Sequence, residues 1–392
     1  VVVRISNEFG IPARLLGFDP NICTPTKEKE VSEMYHSGDF LDFITGRSPD
    51  AATTGELDIE QLKALLPDPR DEPVPSRIGA ANVAAIREVT AMFRAWDFRH
   101  GGWMMCAGVM AQLHQVRRMR ESQCTEPVRA ELLLATGELA SVAAFMNFDT
   151  GLHENTRRLL LIALGSARES RDANHELAND LMVHIQLQTI TQAIHLRRPD
   201  EALSFMGIAE LTAVIGDHPV SAQTRTYLSL KQATCQAMLG NAELCRRALD
   251  QAQERAGDID PAVAPQPWIA HVTPAEVNAI TGGAMYRLAQ HDRGYAPKAV
   301  EPLLSAIDTF GDEYARSRAI NLTSLAGAYF QVGDLDTAVA TGHQAITEIS
   351  ELRSVRILDR LRTLAEVAEP YSHRCDVAEL RQHIYETITM RS

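Results

Sequence analysis

Long apolar runs are missing from this chain: none approaches the eighteen or so residues that a membrane-crossing helix needs. The N-terminal VVVRISNEFG lacks the apolar stretch and small-residue cleavage site of a secretory signal. Cysteine is sparse and unpatterned. Cys23, Cys106, Cys124, Cys235, Cys245 and Cys375 show no CxxC spacing, which argues against a zinc knuckle or a disulfide framework. The expected setting is a reducing cytoplasm, with no membrane partner.

Basic charge is also in short supply. Lys and Arg number 38 against 51 Asp and Glu, a net charge of −13. Duplex affinity comes largely from neutralising phosphates, so any DNA contact requires a local basic element. The densest cluster, Arg117, Arg118 and Arg120, reads as an exposed helix face. Catalytic signatures are missing too: no GxGxxG, no Walker-type GKS/T and no GxSxG. His175-Glu176 opens like a zinc-protease HExxH, but Asn179 stands where the second histidine belongs. Asp180 and His184 share a helix face at i,i+4, a pair commoner on ordinary helices than at metal sites. Neither enzymatic activity nor a cofactor nor a metal is expected. Sustained apolar alternation is absent as well, which excludes a sheet.

What remains is helix after helix. Residues 20–75 carry recurrent proline and read as a linker with one short helix near 58–66, where Ile59, Leu62 and Leu66 keep helical spacing. The four prolines of PDPRDEPVPSR close it. Beyond, Asn82 is expected to cap a helix with apolar Val83, Ile86, Val89, Phe93 and Trp96, ended by Gly101-Gly102. Residues 323–350, TSLAGAYFQVGDLDTAVATGHQAITEIS, fit a tetratricopeptide-type helix pair. Gly333 makes the turn, and Ala326, Ala338 and Ala345 are small where helix axes approach to roughly 8–10 Å. Weaker copies place Ala163, Ala209, Ala252 and Ala306 at the position of Ala345, at intervals of 46, 43, 54 and 39 residues. Those intervals exceed the usual spacing of about 34, so longer helices or loops are expected, with 261–274 the clearest insertion. The predicted fold is all-α: a tetratricopeptide-repeat-like, right-handed α-solenoid of antiparallel helix pairs over 76–392, its concave face built from first helices.

Several polar motifs go beyond a generic repeat. VAAIREVTAMFRAWDFRHGG carries Arg87, Thr90, Asp97, His100, Gly101 and Gly102. AAFMNFDTGL follows, and the stretch from GYAPKAVEPLL to LRSVRILDRLRTL carries Arg316, Ser317, Arg318, Asn321, Ser354, Arg356, Asp359 and Arg360. In these features residues 76–385 resemble actinobacterial transcriptional regulators with an N-terminal XRE-type helix-turn-helix and a C-terminal tetratricopeptide-repeat sensor domain. Met146 departs from the pattern, which usually has Trp there. RISNEFGIPARLLGF is similar to the last helix of such a head, so residues 1–19 are expected to be its remnant. The recognition helix would lie earlier and is absent from the chain, so no DNA-reading residue can be named.

The resemblance implies a regulator whose repeat domain senses a small-molecule or peptide effector and controls DNA binding, as a homodimer on palindromic half-sites. Candidate groove residues are polar or aromatic: Asn147, Gln188, Tyr286, Arg318, Asn321 and Gln331, with Trp103 placed to stack on a ligand. Trp103 and Tyr286 fit a core better than a ligand contact. Arg316 and Arg318 fit structural salt bridges to Asp312, Glu313 or the Asp359 region. The alternative is a protein–protein scaffold with no DNA-binding role.

Overall fold

The chain divides into two units, Val1–Val74 and Pro75–Ser392. A computed structural model describes residues 73–215, 218–349, 352 and 354–391. The EFGIPARLLGF stretch and the helix expected near 58–66 lie outside the described residues.

Among the described residues the second unit is all-α, with no strand beyond one isolated bridge between Arg77 and Gln123. Its helices are α1 (Ala80–His100), α2 (Cys106–Arg118), α3 (Glu126–Asp149), α4 (His153–Asp172), α5 (Ala178–His195), α6 (Pro199–Val214) and α7 (Ala222–Met238). There follow α8 (Ala242–Gly257), α9 (Pro274–Leu288), α10 (Ala296–Thr309), α11 (Ala315–Val332), α12 (Leu335–Ile349), α13 (Val355–Ala368) and α14 (Cys375–Arg391). No described helix is long and apolar enough to cross a membrane.

From α3 onward, consecutive helices pack as pairs, and the first helix of each pair also packs on the first helix of the next. This arrangement is consistent with a solenoid. Helices α1 and α2 both lie against α3. The two helices of a pair differ in character for a physical reason. A first helix is enclosed on most sides, so α5 buries Asn179, Asp180, His184 and Gln186 beside its apolar residues. A second helix faces solvent and keeps a stripe, as in α8, which buries only Cys245, Ala248 and Ala252.

The small residues sit where the helices meet. Ala163, Ala209, Ala306, Ala326, Ala338 and Ala345 are all fully buried, and Ala252 nearly so. Gly333 adopts φ 93°, a left-handed conformation that closes α11 and that a β-carbon would strain. Asn82 is a correction. Gly79 is the N-cap, and Asn82, already inside α1, accepts a hydrogen bond from the Gly79 N–H at 2.9 Å. The apolar row Val83, Ile86, Val89 and Phe93 is buried as its spacing predicts.

Candidate functional site

The first helices line a cavity of about 120 Å³ that opens to solvent. Each contributes one face, read at intervals of three or four residues. Helix α1 gives Arg94, Asp97 and Phe98; α3 gives Ser141, Val142 and Phe145; α5 gives His184, Gln188 and Thr191. Tyr227 and Lys231 come from α7, Glu276 from α9, Arg316, Ser317 and Ile320 from α11, and Arg356 from α13. Tyr314 stands just before α11. The insertion at 261–274, which the repeat spacing had left as a mere lengthening, supplies Trp268 and His271.

Asp180 holds that insertion in place. Its carboxylate accepts from Trp268 Nε1 at 2.8 Å, from the Ser221 N–H at 2.7 Å and from Thr224 Oγ1 at 3.1 Å. Three donors on one buried carboxylate compensate its desolvation. Asp180 therefore ties α5, the start of α7 and the insertion together, and it does not share a ligand with His184. His184 faces the cavity instead. It is 5% exposed, its Nδ1 has no partner, and its Nε2 lies 3.2 Å from Gln188 Nε2. Burial, with the His271 ring and Arg94 nearby, holds the imidazole pKa well below its usual value, so the ring is neutral. Gln188 Oε1 is likewise buried without a partner.

A polar cluster closes one side of the cavity by joining distant parts of the chain. Arg316 donates to both oxygens of Asp97, at 3.1 and 2.8 Å, and lies 3.2 Å from Asp149 Oδ2. Ser354 Oγ donates to Asp149 Oδ1 at 2.7 Å, and Arg356 lies 3.9 Å from the same oxygen. The Arg356 guanidinium also covers the rings of Phe148 and Phe145, at 5.1 and 5.3 Å. Gly102 sits against α3 so closely that a β-carbon would come within 2.6 Å of Met146 backbone, and its N–H points to Asp149 Oδ2 at 3.4 Å. Asp97, Gly102, Arg316, Ser354 and Arg356, which are scattered in the sequence, thus form one cluster. Burial pushes the Asp97 carboxyl above its ordinary pKa, although Arg316 opposes it.

Lys231 and Glu276 are placed differently. Lys231 is 9% exposed, its ammonium stands 4.5 Å over the Tyr227 ring, and no described carboxylate pairs with it. Burial pushes its pKa down to about 8. Burial likewise raises that of Glu276, with Lys231 as the largest opposing influence. Both project charge into the cavity, where the low dielectric strengthens any contact they make with a guest.

Of the residues expected in the groove, Gln188 lines this cavity. Gln331 lines a second one, of about 490 Å³ and more open, with Arg197, His291 and Thr363. The others lie elsewhere. Asn147 is buried and donates to the Ala143 carbonyl at 2.8 Å, and Asn321 donates to that of Ser317 at 2.8 Å. Tyr286 is core, packed on Gly327. Arg318 pairs with Glu348 at 2.8 Å and with Asp312 at 3.7 Å, one of the salt bridges considered for it. Trp103 is 43% exposed in the turn after α1, neither core nor cavity. Sequence reasoning missed Asp149, Tyr227, Lys231, Trp268, His271 and Glu276. The available signal was charge and amide side chains within otherwise apolar first helices. No family model, curated protein or solved structure matches the chain.

Proposed function

We propose that the chain is the effector-sensing part of a transcriptional regulator, in which occupancy of the cavity among the first helices sets DNA binding by an XRE-type head. The observation that carries this reading is the pair of buried, unpartnered polar atoms, the donor His184 Nδ1–H and the acceptor Gln188 Oε1, facing a cavity that also holds unpaired charge. Buried polar groups ordinarily find partners, so this arrangement suits a guest that supplies them. The polar cluster supports coupling. Arg316 and Arg356 line the cavity and also join α11 and α13 to α1 and α3. A guest that engages them changes the free energy of that closure, which is what effector control requires.

The head belongs to this proposal through the resemblance of RISNEFGIPARLLGF and the polar motifs, and a homodimer through the two-fold symmetry of the DNA sites such heads read. The test is a gel-shift titration of the full-length gene product on its own upstream DNA, with and without extract from its host culture. A change in affinity that His184→Leu abolishes is the expected result. DNA binding indifferent to every extract overturns effector control and favours the protein scaffold.

A further inference from the structure

The first cavity offers hydrogen bonds in a definite combination. Gln188 Nε2 lies 3.2 Å from His184 Nε2 and donates to it. Burial keeps the His184 ring neutral, with a single proton, which therefore sits on Nδ1. His184 Nδ1–H is then a donor and Gln188 Oε1 an acceptor, both buried and both without a partner. Turning the Gln188 amide over exchanges the two roles and still leaves one donor and one acceptor. Among the described buried side-chain atoms that lack a partner, these two alone belong to residues lining this cavity.

Size, shape and charge narrow the guest further. A cavity of about 150 Å³ holds one benzene ring. At about 120 Å³ this one has room for a single ring, extended only toward its mouth. Aromatic side chains make a continuous wall: ring centroids lie 5.5 Å apart from Tyr314 to Phe98, 6.1 Å from Phe98 to His271 and 5.0 Å from His271 to Tyr227. A flat guest stacks on such rings. The charges do not call for an anion. Arg94 is matched by Glu138, and Arg316 and Arg356 by Asp97 and Asp149. Lys231 and Glu276 are of opposite sign, and Asp180, already satisfied by three donors, adds a further acid. No positive excess remains among these groups, and a neutral guest disturbs none of their pairings.

We propose that this cavity takes a neutral single-ring amide, its C=O accepting from His184 Nδ1–H, its N–H donating to Gln188 Oε1 and its ring lying on the wall of Phe98, His271 and Tyr227. An amide carries an acceptor and a donor on neighbouring groups, so it satisfies both buried atoms without burying a charge. Its biological role rests on the effector reading above, in which this amide is the effector.

The test is calorimetric titration and thermal unfolding of the full chain with benzamide, acetophenone and benzoate. Acetophenone has the size and the carbonyl of benzamide but no N–H, and benzoate replaces the donor by a charge. Benzamide is expected to bind roughly tenfold tighter than either, because each of the other two leaves one of the buried atoms unpaired. Gln188→Met is expected to erase that preference while leaving acetophenone binding unchanged, a pattern that a general loosening of the fold does not produce. Benzamide that binds no tighter than acetophenone or benzoate, or a preference that survives Gln188→Met, overturns the proposal. The wild-type comparison decides it even where Gln188→Met does not fold. Failure of the amide is separable from failure of the effector reading. A host-extract fraction that stabilises wild type and Gln188→Met alike keeps an effector and sinks the amide. Benzamide bound as expected, with DNA affinity indifferent to every extract, keeps the amide site and sinks its effector role. No benzamide binding and no stabilisation by extract sink both.

Discussion

Lys231 and Arg316 are both cations buried on first helices, and their surroundings give them opposite roles. Arg316 has two carboxylates within hydrogen-bonding reach, so truncating it leaves Asp97 and Asp149 buried without a full partner. Arg316→Met is therefore expected to destabilise the fold by about 3–5 kcal/mol in urea titration. Lys231 has no such partner, and its pKa falls from 10.5 to about 8 on folding. The native state then releases its proton before the unfolded state does, so unfolding takes up a proton between those values and stability rises with pH across that window. The gain is on the order of 3 kcal/mol. The Cys235 and Cys245 thiols, pushed up to about 11 by burial, act in the opposite direction over part of this window, so the stability difference between wild type and Lys231→Met from pH 8 to 10.5 should show it. Neither role is legible from residue type. Arg316 was singled out by its motif, but its partners lie 219 residues away for Asp97, and Lys231 stands in no motif at all.

At the scale of elements, spacing carried most of the information. Helical periodicity located the buried row of α1, and alanine and glycine at turn and contact positions located the pair α11–α12. Gly333 and Gly102 are both glycines for backbone reasons, but of different weight. Gly333→Ala incurs left-handed strain of about 1 kcal/mol. Gly102→Ala forces a β-carbon into Met146 backbone and should cost more, about 1–3 kcal/mol, because α1 and α3 must part. Comparison of the two variants by thermal unfolding checks the order. The insertion at 261–274 was legible as an interruption and nothing more. Its value comes from Trp268 reaching Asp180 across 88 residues. Trp268→Phe removes that N–H donor from a buried carboxylate, with an expected loss of about 1.5–3 kcal/mol in denaturant titration.

For the whole molecule, the consequential feature is that helix pairs late in the chain bond to early ones. Stacked repeats ordinarily contact only their neighbours, and their stability is then a sum of local terms. Here Asp97–Arg316, Asp149–Ser354 and His195–Asp359 tie α1, α3 and α5 to α11 and α13. The described unit should accordingly unfold in one transition. Arg316→Met should split it, with hydrogen exchange rising first in α11 to α14, while an exposed-pair control such as Arg246→Met leaves a single transition.

Sequence alone determined the helical class and the pairing, because both follow from local propensity, from apolar periods of three to four residues and from small residues at close contacts. It also marked the polar residues of the closing cluster apart from Asp149, without saying that they meet. Tertiary structure decided which side chains face inward together and which of them find partners. That is a property of how one helix is rotated against the next, and a rotation of a third of a turn exchanges a lumen residue for a core one. Lys231 stands in an apolar-rich helix much as Arg318 does; only the packing leaves the first without an ion pair at the cavity and gives the second its carboxylates.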